Sequence, residues 1–186
     1  MAWKVVTLKE DDFAAACREL ESAVLADGFT PDAVLSIATG GVYVGRNMFD
    51  RLPHYSTESR RPSTSYKKRI IRIAVRLAPR FIQNRLRILE ADILERKRHK
   101  GDKATLRKVT LPAELDTKYR KVLIVDDAVD SGHTLKSVYE AVRRHLPDAM
   151  IRTAVITVTM PDPELNPDYA LYRDRTLIRF PWSMDA

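Results

Sequence analysis

The chain has 186 residues, 45% hydrophobic and 31% charged, with a net charge of +7, which excludes a disordered composition and predicts a single domain spanning 1–186. One cysteine, Cys17, rules out an intramolecular disulfide and a zinc cluster built on thiolates. No apolar run approaches the roughly 20 residues of a membrane span, and MAWKVVTLKEDD lacks a signal core, so a cytoplasmic protein is expected.

Trp3 to Leu8 reads as a short strand, and Asp11 or Asp12 is placed to cap a helix running to about Ala26. Gly28 and Pro31 punctuate, Ala33 to Ala38 (AVLSIA) is a buried strand, and TGGVYVG leads into a second helix starting at GRNMFDRL. Residues 53–65 are a polar connection with an extended stretch around His54 to Thr57. From Tyr66 the period becomes helical: Ile70, Ile73, Ala74, Leu77 and Phe81 share one face, and Arg69, Arg72, Arg76 and Arg80 another. Pro79 should break this helix, and a second run with Leu86, Leu89, Ile93 and Leu94 ends near Gly101.

Residues 66–103 hold 13 Lys and Arg against 4 Asp and Glu, so the whole basic excess belongs to this segment. The leading reading is an inserted amphipathic helical hairpin with a solvated arginine face. A lid over a polyanionic substrate, and RNA or membrane-surface contact, are the lesser readings; DNA binding is not expected. His99 and His145 lack a nearby carboxylate or thiol in sequence, so no metal role is expected of them.

Leu106 to Leu111 reads as a strand, VLIVDDAVDSGHT (122–134) as a buried strand running into a helix from His133 to His145, and Pro147-Asp148 as a turn. Residues 151–159 (IRTAVITVT) are a β-branched strand, and after a proline-rich connection YALYRDRTLIRFPW gives two short apolar pieces. Alternating strands and helices predict an α/β fold, a mainly parallel twisted sheet flanked by helices.

In such a sheet, ligands bind beyond the carboxyl ends of the strands, so a site is expected after Val122 to Val125. Asp126 and Asp127 there can each accept a hydroxyl hydrogen bond, which suits a vicinal diol. Ala128 to Thr134 are small or polar and enter a helix N-terminus, which favours a phosphate. A diol site beside a phosphate site describes a ribose phosphate. The alternative, a pair that decorates a strand end or caps a helix, is the lesser reading. A response-regulator receiver domain needs more chain than follows Asp127.

VLIVDDAVDSGHT resembles the phosphoribosyl pyrophosphate (PRPP) signature of type I phosphoribosyltransferases. TPDAVLSIATGGVYVGRNM resembles the first strand–helix unit and pyrophosphate loop of that family. PDYALYRDRTLIRFPW, within a C-terminal hood segment 160–186, resembles bacterial xanthine–guanine and hypoxanthine type members. The resemblance implies a Mg²⁺-dependent phosphoribosyltransferase, with PRPP and an unidentified acceptor as partners in a homo-oligomer. It implies that Asp126 and Asp127 hold the ribose hydroxyls and Mg²⁺, directly or through water. Ala128, Val129, Asp130, Ser131, Gly132, His133 and Thr134 would cradle the 5-phosphate, and Thr39, Gly40 and Gly41 the pyrophosphate. Asp130 would be the catalytic acid/base, with a helix N-cap as its other reading. Tyr66 in TSYKK resembles the tyrosine of the family's flexible loop.

The acceptor positions depart from the pattern. Val158 or Thr159 stands where 6-oxopurine members carry lysine, Leu177 where they carry an aromatic stacker, and Ser183 where many carry an acid. The expected acceptor pocket is therefore an altered one, made of Val158, Thr159, Phe180 and Trp182, beside an intact PRPP half-site. Thr39 also replaces a Lys or Arg found in many members. A nucleobase acceptor is the first expectation; a carbohydrate or lipid precursor, or a non-catalytic PRPP sensor, is the alternative.

Overall fold

The computed structural model describes residues 3–59, 88–89 and 109–183. In chain order these form β1 (Lys4–Thr7), α1 (Glu10–Ala26), β2 (Ala33–Ala38), α2 (Gly40–Arg46), β3 (His54–Ser59) and β4 (Val109–Thr110). They continue with β5 (Lys121–Val129), α3 (His133–His145), β6 (Met150–Val158), β7 (Tyr169–Tyr172) and β8 (Thr176–Arg179). Six strands make one sheet in the order β4-β3-β2-β5-β6-β7, parallel throughout except for the β3–β4 pair. This is the mainly parallel α/β fold the alternating pattern predicts.

The central strands read as almost unbroken apolar runs because both sheet faces are covered. Alternation assigns each side chain to a face: Leu123 and Val125 of β5 pack with Phe13, Leu20 and Val24 of α1, whereas Val122 and Ile124 pack with Leu135, Val138 and Val142 of α3. Cys17 sits on the buried stripe of α1, where burial pushes its thiol up to about 12 and leaves it a core residue.

Two boundaries differ from the sequence expectation, and one strand pairs away from the main sheet. Helix α1 starts at Glu10 with Lys9 as its cap residue; Asp12 acts from inside the first turn, accepting the Lys9 backbone N–H at 3.3 Å. Helix α2 starts at Gly40 and ends at Arg46, so GRNMFDRL is mostly a turn rather than a helix. There Phe49 takes a left-handed φ of 50°, and its N–H donates to Glu21 Oε2 at 3.2 Å. Finally, β1 does not join the main sheet: it pairs in parallel with β8, from Lys4↔Thr176 to Thr7↔Arg179.

The C-terminal segment is thus shared between the two sheets, since β7 extends the large one beside β6. Asp174 and Arg175, with φ of 58° and 59°, turn the chain between β7 and β8. Asp168 anchors the start of this segment, accepting the Thr153 N–H and hydroxyl, both at 2.8 Å, and pairing with Arg152 at 2.7 Å.

Val109–Thr110 is the described part of the strand expected at 106–111. The basic insertion expected at 66–103, with Tyr66 at its head, lies outside the described residues apart from Ile88 and Leu89. Among the described residues no helix is long and apolar enough to cross a membrane.

Candidate active site

The strand order reverses between β2 and β5: β3 lies beyond β2 on one side and β6 beyond β5 on the other. Such a switch point opens a crevice at the carboxyl ends of the two strands. The register shows where it opens. β2 and β5 pair from Ala33↔Val122 to Ser36↔Val125, while β5 continues against β6 as far as Val129↔Val158. Asp126 and Asp127 therefore lie inside β5, just past its last pair with β2, and not beyond the end of the strand as the sequence predicts.

The opening is a cavity of about 460 Å³. Ile37, Ala38, Thr39 and Gly40 line one wall; Asp126 through Gly132, with Thr134 and Leu135, line the other. The two motifs separated by more than eighty residues in sequence thus face each other. Of the expected PRPP-binding residues, His133 and Gly41 are not among the lining residues.

The glycines at the start of α2 are set by this contact. A Cβ on Gly40 would overlap the Asp127 carboxylate, and one on Gly41 would lie 2.6 Å from the Val125 carbonyl oxygen and 3.0 Å from Asp126 Cα. Only residues without side chains let the first turn of α2 stand this close to β5. The Ala38–Thr39 peptide at this junction is cis.

Asp126 is 9% exposed. Its Oδ1 accepts the Asp127 N–H at 2.9 Å, and Asp127 Oδ1 accepts the Ala128 N–H at 2.9 Å. Burial, then the neighbouring Asp127 charge, pushes the Asp126 carboxyl well above the usual carboxylate range, and burial also raises Asp127. The described lining of the cavity carries three aspartates and no lysine or arginine. The pair is therefore an acceptor site whose burial is relieved by hydroxyl donors or by a cation. Two hard-oxygen carboxylates suit Mg²⁺, which is commonly held by one or two carboxylates together with substrate phosphates.

Beyond the pair, the chain turns through Gly132, which has φ of 77° and caps α3; Asp130 is not the N-cap its alternative reading supposed. The turn is braced from the 160–168 connection. Glu164 N–H donates to the Ser131 carbonyl at 2.9 Å, and the Glu164 carboxylate pairs with Lys136 at 3.2 Å. Asp130 is exposed, and its Oδ1 accepts the Thr159 hydroxyl at 2.5 Å.

The Phosphoribosyl transferase domain model matches residues 7–186, nearly the whole chain. The chain belongs to the phosphoribosyltransferase family. No curated protein sequence is significantly similar to it. Among solved structures, this phosphoribosyltransferase is similar in fold to the purine phosphoribosyltransferase of Pyrococcus horikoshii, with 23% identity, a TM-score of 0.61, and 96% of this chain and 94% of the other covered. It is similar to the xanthine–guanine–hypoxanthine phosphoribosyltransferase of Helicobacter pylori, with 16% identity, a TM-score of 0.67, and coverages of 97% and 95%. A third likeness, at 17% identity and a TM-score of 0.59, is to a Neisseria gonorrhoeae protein solved with ppGpp bound, with coverages of 98% and 90%.

On the acceptor side of this phosphoribosyltransferase, the four expected pocket residues do not come together. Val158, 3% exposed, packs in the apolar cluster of α3 with Val129 and Leu135. Phe180 and Trp182 pack in the other cluster, against α1. Trp182 stacks on Phe180 (centroids 4.8 Å, 6° between planes) and on Tyr43 (4.3 Å, 12°), and Phe13 meets it edge-on at 4.8 Å. Leu177 belongs to β8, and Ser183 caps the turn, its Oγ accepting the Phe180 N–H at 3.0 Å. Sequence reasoning missed Tyr43 and Phe13 because their partners lie at the far end of the chain.

Proposed function

We propose that this phosphoribosyltransferase moves the 5-phosphoribosyl group of PRPP to a nucleobase acceptor, with Mg²⁺ required and pyrophosphate released. The observation that supports this reading best is the meeting of Asp126, Asp127, the 128–134 turn and the Thr39–Gly40 wall in one cavity. The buried carboxylates accept the two ribose hydroxyls, and those donors relieve the cost of burying the pair. The turn and the α3 N-terminus receive the 5-phosphate, as helix N-termini favour anions. Thr39 and Gly40 face the pyrophosphate through backbone groups, without a positive side chain at Thr39, and Gly41 lets the turn stand close to β5. Asp126 and Asp127, together with substrate oxygens, would hold Mg²⁺, which when bound neutralises charge on the leaving pyrophosphate.

As the C1–O bond to pyrophosphate breaks and the bond from C1 to the acceptor nitrogen forms, Asp130 takes the proton that nitrogen loses. Asp130→Asn is therefore expected to keep PRPP affinity while lowering kcat on the order of 10²- to 10⁴-fold, the usual range for removal of a general base. Steady-state kinetics beside a binding titration separates the two quantities.

Calorimetric titration of PRPP tests the donor half-site. Binding is expected with Mg²⁺ present, should disappear on chelation because three carboxylates line the cavity, and should be competed by ribose 5-phosphate. Failure of PRPP to bind with Mg²⁺ would overturn the reading. The stacking of Trp182 on both Phe180 and Tyr43 favours a second reading for the acceptor alone, in which it is not a flat base. Turnover with a sugar or lipid alcohol but with no base distinguishes that case.

A further inference from the structure

Thr159 lies one residue beyond the last β5–β6 pair, Val129↔Val158. Its N–H donates to the Val129 carbonyl at 2.9 Å, which extends the ladder by one bond and fixes the Thr159 backbone. Its hydroxyl reaches Asp130 Oδ1 at 2.5 Å and lies 3.4 Å from the Val129 carbonyl, so its single proton goes to the nearer and charged acceptor. Thr159 is only 4% exposed, whereas Asp130 is exposed. A β-branched side chain has few rotamers, and this one is packed on a locked backbone. The hydroxyl is thus a fixed donor standing behind a carboxylate that faces solvent.

Resting on the reading of Asp130 as the proton acceptor, we infer that Thr159 is its positioning residue. Thr159 commits Oδ1 of Asp130 to the protein and leaves Oδ2 as the oxygen that meets the acceptor's N–H. The sequence marks Thr159 as an acceptor-pocket position but not as a partner of Asp130, because the two residues are brought together by the register of β5 against β6. Without the hydroxyl, the carboxylate of an exposed aspartate rotates freely, and misplacement by about 1 Å costs up to about 100-fold in rate.

Thr159→Val keeps the shape and removes the donor; Thr159→Ser keeps the donor. In the intact protein, Thr159→Val is expected to lower kcat by about 10- to 100-fold with the KM and Kd for PRPP unchanged. Thr159→Ser should recover most of that loss. In an Asp130→Asn background, Thr159→Val should add nothing further, because its effect runs through Asp130. Unchanged kcat in Thr159→Val, or a loss that multiplies fully with that of Asp130→Asn, overturns the inference. Should Thr159→Val not fold, Thr159→Ala and Thr159→Ser give the same contrast, with equal kcat in the two as the contrary result. A wild type that binds PRPP but turns over no acceptor, or one that does not bind it, removes the underlying reading and is recognised before any variant is measured.

Discussion

Asp127→Asn is expected to lower turnover sharply while making the ligand-free protein more stable. Asp127 is half-buried beside buried Asp126, and desolvation raises its carboxyl above the ordinary value of 3.8, so folding disfavours its charged form. For a carboxyl raised in this way, the favourable contribution is present below 3.8 and is lost as pH rises through the higher folded value. At neutral pH the pair therefore works against the fold, and the amide removes one of the two charges while its Oδ1 can still accept the Ala128 N–H. The gain should be about 0.5–2 kcal/mol, the size common for single stabilising changes. Urea denaturation at about pH 4 and about pH 8 checks it: the wild type should lose more stability than the variant over that rise. The same change removes a charged acceptor of a ribose hydroxyl, a bond worth about 1.5–3 kcal/mol, and weakens the cation site as well. That bond alone corresponds to a loss of kcat/KM of about 10- to 100-fold, since 1.4 kcal/mol corresponds to tenfold, and the weakened cation site adds to it.

Gly132→Ala is expected to be strongly damaging. Gly132 has φ of 77°, where a side chain is strained by about 1–2 kcal/mol. Its Cβ would also lie 2.8 Å from the backbone nitrogens of Glu164 and Leu165 and 2.9 Å from Pro163 Cβ. Backbone cannot move aside as a side chain can, so the 160–168 connection must lift away. That lift breaks the Glu164 N–H bond to the Ser131 carbonyl that braces the phosphate turn. The combined cost is about 2–5 kcal/mol, from the strain together with an overpacking term of about 1–3 kcal/mol. Thermal melting should show it, and PRPP affinity should fall because the α3 N-terminus is displaced. Substitution of exposed Lys118 in the same assays should leave both unchanged.

One wall of the cavity was legible in the sequence because Asp126, Asp127 and the turn to Thr134 are contiguous: one strand, one turn and one helix start carry them. Gly40 and Gly41 are expected from the sequence as a loop, and the structure makes them the first turn of a helix. What places them there is the approach of α2 to Asp127, a contact between distant parts of the chain. The missing helix at GRNMFDRL has the same origin, since the left-handed Phe49 is tied to Glu21, 28 residues away. β1 was readable as a strand from its alternation, yet its partner β8 is at the opposite end of the chain. The acceptor side was the least legible. Val158 and Thr159 are neighbours in sequence, but one packs into the core of α3 and the other bonds to Asp130.

The central claim is PRPP-dependent group transfer, and the direct measurement is pyrophosphate release from PRPP and Mg²⁺ across guanine, xanthine, hypoxanthine, adenine, uracil and orotate. The account predicts release with at least one of these bases, reduced by both Asp130→Asn and Asp127→Asn. PRPP binding without release for every base would contradict transfer to a nucleobase.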